Sequence, residues 1–110
     1  MTLSQKLIKV ATMYAGAVQE CYHYWRPVKT APWLIWAEDG GEEFVAGNHV
    51  AEQALTGSAD YFTKDEFDPA VDAIQEAQNS LEGFAWSLNS VQYEEETELI
   101  HFEWSWVYTG

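Results

Sequence analysis

Hydrophobic positions repeat with two different periods along this chain, and the changes of period mark its elements. From Glu98 to Tyr108 the period is two. Ile100, Phe102, Trp104, Trp106 and Tyr108 fall on one parity, and Leu99, His101, Glu103, Ser105 and Val107 on the other. Successive side chains of a strand point to opposite faces, so this segment is predicted to be a strand with one aromatic face and one mixed face. The aromatic face needs a cover, because burying each such side chain contributes roughly 1.5–3 kcal/mol. Over Thr2–Val18 the spacing is helical instead. Leu3, Leu7, Val10, Tyr14 and Ala17 make one stripe, widened by Ile8, Ala11, Ala15 and Val18, with Lys6 and Lys9 on the polar side. Thr2 and Gln5 have the spacing of a capping box.

Between these ends the pattern predicts five more elements. Cys21 to Arg26 is a short β-prone run ended by Pro27, and Trp33 to Ala37 is apolar on both parities, as in a strand covered on both faces. The short connection between them predicts a hairpin. Glu38 to Glu43 combines two glycines with four carboxylates and is predicted to be a turn or loop. Val50 to Thr63 is predicted to be extended. Its small residues Gly57, Ser58 and Ala59 imply close approach of another element, the first helix being the nearest candidate. Asp68 is placed as an N-cap, Pro69 at the first helical position and Gly83 as a stop, around a stripe of Val71, Ile74, Ala77 or Gln78, and Leu81. Phe84, Trp86 and Leu88 share one parity, but Val91 and Tyr93 take the other, so a bulge at Asn89–Ser90 is predicted within the next strand. Glu94 to Thr97 turns the chain into the last strand.

The order is therefore α-β-β-β-α-β-β. The predicted fold is α+β, a single domain over 1–110, with one twisted antiparallel sheet of about five strands and two helices packed on one face. Composition agrees with a folded chain, at 47% hydrophobic and 15% aromatic. The only cysteine, Cys21, excludes an internal disulfide and suits a reducing compartment. No apolar run approaches the ~20 residues of a membrane span, and no signal-peptide pattern is visible. The balance of 5 Lys and Arg against 18 Asp and Glu gives −13, which argues against tight nucleic-acid binding and against anionic membrane surfaces.

Chemical motifs are sparse. Phosphate loops, dinucleotide fingerprints, zincin helices and nucleophile elbows do not occur. Cys21 and His23 share a strand face, as a thiolate pair would, and His101 and Glu103 share the mixed face of the last strand. Their spacing predicts no meeting of these residues across strands, so no metal, no cofactor and no catalytic residue is expected. The acidic segments carry the candidate interaction residues: Asp39, Glu42 and Glu43 in the first, Glu94, Glu95 and Glu96 in the second. The first lacks EF-hand spacing, and charge at such tips is ordinarily a solvated surface.

Three stretches stand out in this order. Trp33-Leu34-Ile35-Trp36 follows a short strand ending in Arg26-Pro27. Asp60-Tyr61-Phe62-Thr63 leads into Asp68-Pro69-Ala70-Val71. Val91-Gln92-Tyr93-Glu94 passes through an acidic turn to Ile100-His101-Phe102-Glu103-Trp104. These stretches resemble the tail-terminator, or tail-completion, proteins of long-tailed bacteriophages and prophages, and the resemblance lies in pattern and order over nearly the whole chain. It implies a non-enzymatic virion protein that forms a ring, commonly a hexamer, on the tail tube and meets the head-side connector, with DNA only passing through. The alternatives are an acidic DNA-mimic or anti-defence inhibitor, and a small domain that binds aromatic ligands.

Overall fold

The computed structural model describes residues 1–27, 30–46 and 49–110, with side chains outside 42–52. Helix α1 spans Leu3–Ala17, strand β1 Cys21–His23, β2 Trp33–Ala46, β3 His49–Thr63, helix α2 Pro69–Ser80, β4 Phe84–Glu94 and β5 Leu99–Tyr108. The strands form one open sheet in the order β1-β2-β3-β5-β4. The chain is thus the expected α+β fold with a single sheet, in the expected element order.

The β5 parity decides where the core lies. Trp104, Trp106 and Tyr108 are buried and sit opposite Ala59, Gly57 and Leu55 of β3. The same row continues to Trp36 and Leu34 of β2. Val10 and Tyr14 of α1 and Ile74 of α2 close the core over this face. Tyr14 packs on Trp36 and edge-on to Phe84, and its hydroxyl donates to Gln78 Oε1 at 2.9 Å. Trp104 Nε1 donates to Gln75 Oε1 of α2. Both helices therefore cover the same face.

Local chemistry explains the boundaries. Thr2 and Gln5 complete the capping box of α1. Asp68 caps α2, and its carboxylate accepts from Ala70 N at 2.8 Å, Tyr61 Oη at 2.6 Å and Thr63 Oγ1 at 2.8 Å. Burial raises the Asp68 carboxyl, but hydrogen bonds from Tyr61, the Ala70 amide and Thr63 outweigh it and hold the group below the usual carboxylate range. A depressed folded-state value stabilises the fold above the unfolded pKa, and that contribution is lost as pH falls through the folded value. Asp68→Ala is expected to cost about 2–3 kcal/mol at pH 7, from the lost cap and two hydroxyls left without their acceptor. In urea titrations the gap to wild type should begin to narrow below about pH 4, where the unfolded state takes up its proton first, and keep narrowing as pH falls through the folded value.

Four expectations are corrected. Strand β1 is only three residues long and pairs with β2 in parallel, Cys21 opposite Leu34 and His23 opposite Trp36, so there is no hairpin and the sheet is mixed. Segment 38–43 is not a loop but the middle of β2. Asp39 is accommodated by a register shift between Glu38 and Gly40, and Thr56 Oγ1 donates to its carboxylate at 2.7 Å. The group that closes on Gly57 is Trp106 of the neighbouring strand, not α1. Lys6 is buried rather than solvated, because its ammonium donates to the Gln53 carbonyl of β3. The expected bulge in β4 is present, with the register shifting between Leu88 and Ser90.

Candidate functional site

The sheet face opposite the helices holds most of the remaining chemistry. Register places Trp33, Phe62, His101 and Gln92 in one row across β2, β3, β5 and β4. Trp33 and Phe62 stack at 4.7 Å, and Phe62 and His101 at 4.2 Å. The Arg26 guanidinium lies 3.9 Å over the Trp33 ring, which accounts for the burial of a tryptophan on a face without helices. The next row holds Ile35, Asp60, Glu103 and Ser90.

His101 joins the two rows. Its Nε2 lies 2.6 Å from Asp60 Oδ1, and its Nδ1 lies 3.6 Å from Glu94 Oε1. Asp60, His101 and Glu103 bring their ligand atoms within 4.8 Å of one another, and all three side chains are half-buried. Burial pushes the Asp60 carboxyl up. The His101 contact opposes this, and the Glu103 charge adds to the rise.

Cys21 and His23 lie elsewhere, on β1 at the sheet edge. His23 Nε2 meets Glu38 Oε1 at 2.7 Å, and its ring stacks between Tyr24 and Trp36. Burial pushes the Cys21 thiol up to about 11. That is the opposite of what a nucleophilic cysteine requires. Alkylation of Cys21 by iodoacetamide at pH 8 is expected to run at least about tenfold slower in the native protein than in urea. A native rate equal to the unfolded one would restore the thiolate pair.

Among the acidic candidates, Asp39 sits at the β2 register shift. Glu42 and Glu43 belong to β2 by backbone, and their side chains lie outside the described residues. Glu95 and Glu96 are exposed on the turn, whereas Glu94 closes β4 beside His101. Sequence reasoning paired His101 with Glu103 but missed Asp60, Phe62 and Arg26. Only the strand register brings them together.

The edge of the sheet at β4 is the other notable surface. This strand contains no proline, lysine or arginine, and its only acidic residue is the terminal Glu94. The bulge puts Leu88, Val91 and Tyr93 on one face, 45%, 52% and 61% exposed. At the far end, β1 covers β2 only over Leu34–Trp36, while β2 continues to Ala46. The β2–β3 ladder also continues past Leu55, the last β3 residue paired with β5, as a two-stranded arm. Among the described residues, no helix is long and apolar enough to cross a membrane. The chain matches no protein-family model and no curated protein. What defines its class is the fold: a single mixed sheet with two helices on one face and two unequal strand edges.

Proposed function

We propose that the protein is a non-enzymatic, self-assembling structural component of a phage or prophage tail. In this reading it is a tail terminator that forms a ring, most simply a hexamer, at the head-proximal end of the tail tube and helps join tail to head. The supporting observation is the β4 edge: eleven residues of backbone without prolines or basic side chains, flanked by exposed Leu88, Val91 and Tyr93. Such an edge is a template for a strand of another chain, and monomeric proteins normally block it with lysine, proline or very short strands. The uncovered length of β2 supplies a different edge at the opposite end of the sheet. Two unlike edges favour head-to-tail contacts, which close into a ring when the rotation per subunit divides the circle.

The charge of −13 per chain sets the conditions. Like-charge repulsion weakens contacts between copies at low salt and is screened at moderate salt. The same charge lets DNA pass a ring lumen without adhering to it. The tail tube and the head-side connector are then the partners, and the virion tail is the location. The test is to mix the protein with its cognate tail tubes at moderate salt and examine tube ends by electron microscopy. Capped ends and halted tube growth are expected, and Val91→Lys should abolish both while leaving the monomer folded. If the protein neither caps tubes nor forms rings on them, the acidic-inhibitor alternative takes precedence.

A further inference from the structure

The open sheet face carries a feature that strand pairing does not use. Asp60 and Glu103 are directly opposite one another on β3 and β5. Like charges in that position destabilise a sheet. Among the described residues, the ion pairs of Asp60 and Glu94 both run to His101, and Glu103 makes none. Three carboxylates thus surround a single imidazole, in a half-buried setting where charge is less screened than in water. Three carboxylates outnumber the one imidazole, so the cluster carries an excess of negative charge, and its donors already converge.

We propose that Asp60, His101 and Glu103 bind a divalent transition-metal ion of borderline softness, with Zn²⁺ as the probe. One imidazole nitrogen and two carboxylate oxygens match the donors such an ion takes at about 2.0–2.2 Å. Ca²⁺ and Mg²⁺ prefer all-oxygen sets with more ligands. The imidazole is already oriented, since Phe62 stacks on its face and Glu94 lies near its far nitrogen. A carboxylate at the nitrogen away from the metal is the usual way a metal-binding histidine is positioned. The ion takes the Nε2 lone pair, and the proton shared between His101 and Asp60 leaves to solvent. The fourth position faces the open side of the sheet and is available to water or to a partner's side chain.

The experiment titrates the full chain with ZnCl₂ and, separately, with MgCl₂, following the melting temperature and proton release. Zn²⁺ at about 100 μM should raise the melting temperature by several degrees and release protons, and equal Mg²⁺ should do neither. His101→Gln and Glu103→Gln should each weaken Zn²⁺ binding by about tenfold or more, while His23→Gln leaves it unchanged. In the wild-type protein, the ring ¹⁵N resonances of His101 should shift on Zn²⁺ addition, a readout independent of how the variants fold. The proposal is overturned if millimolar Zn²⁺ leaves the His101 resonances in place. It is equally overturned if His101→Gln binds Zn²⁺ as tightly as wild type, or if His23→Gln abolishes binding.

Discussion

Trp106→Ala is expected to remove about 3–5 kcal/mol of stability, a large share of the 5–15 kcal/mol typical of a domain this size. The Trp106 side chain is 1% exposed and belongs to the single core cluster that both helices close over. Its ring stacks on Phe84 of β4 at 5.3 Å, faces Trp36 of β2 at 6.5 Å and covers Gly57 of β3. Truncation empties a space bounded by three strands, and strands held in a hydrogen-bonded ladder cannot close on it. The cost should therefore fall in the upper part of the range. Trp106→Phe is a useful companion, because the indole Nε1 is buried and has no hydrogen-bond partner among the described residues. Replacing it loses area but removes an unsatisfied donor, so the loss should stay below about 2 kcal/mol. Urea denaturation followed by far-ultraviolet circular dichroism measures both. An unchanged midpoint for Trp106→Ala would show that this aromatic face is a surface platform rather than the core.

The second large effect is expected at Gly57. A Cβ added there would overlap both the Trp106 ring and the Ala37 carbonyl, one a packed side chain and the other ladder backbone. Neither can move without breaking sheet hydrogen bonds or core packing. Gly57→Ala should accordingly cost about 3 kcal/mol or more, at or above the upper end of overpacking effects. Gly40 is the internal control. It is exposed, and a Cβ there would make only ordinary contact with Thr56 Oγ1 at 3.5 Å. Gly40→Ala should be nearly neutral. Equal melting temperatures for the two variants would mean that the close packing of Trp106 on Gly57 does not exist in solution.

These two effects belong to one feature, the face of the β3–β5 pair on which both helices rest. The other face is free of helices, and there the candidate ion site and the aromatic row lie. The β4 edge, the proposed assembly contact, joins β5 directly. Strand edge and ion site are separable experimentally, since Val91→Lys alters one and Glu103→Gln the other.

Much of the architecture was legible in one dimension because its causes are local. Alternation in Ile100–Tyr108 sets the inward face of β5 whatever its neighbours are. The break in parity after Leu88 requires an extra residue, and the structure supplies it at Asn89. Asp68, Pro69 and Thr2 act within one helical turn, so their capping roles need no tertiary knowledge. What failed depended on partners far away in sequence. Asp39, Gly40, Gly41 and the flanking glutamates have turn-like composition, but pairing with β3 over the whole length of β2 overrides it. Three residues of β1 carry no signal for parallel pairing, and docking against Leu34–Trp36 decides it. The candidate site followed the same division. The placement of His101 and Glu103 on one face follows from their spacing of two. Asp60 joins them only through the β3–β5 register, because a one-residue slip in that pairing would send every β3 side chain to the opposite face.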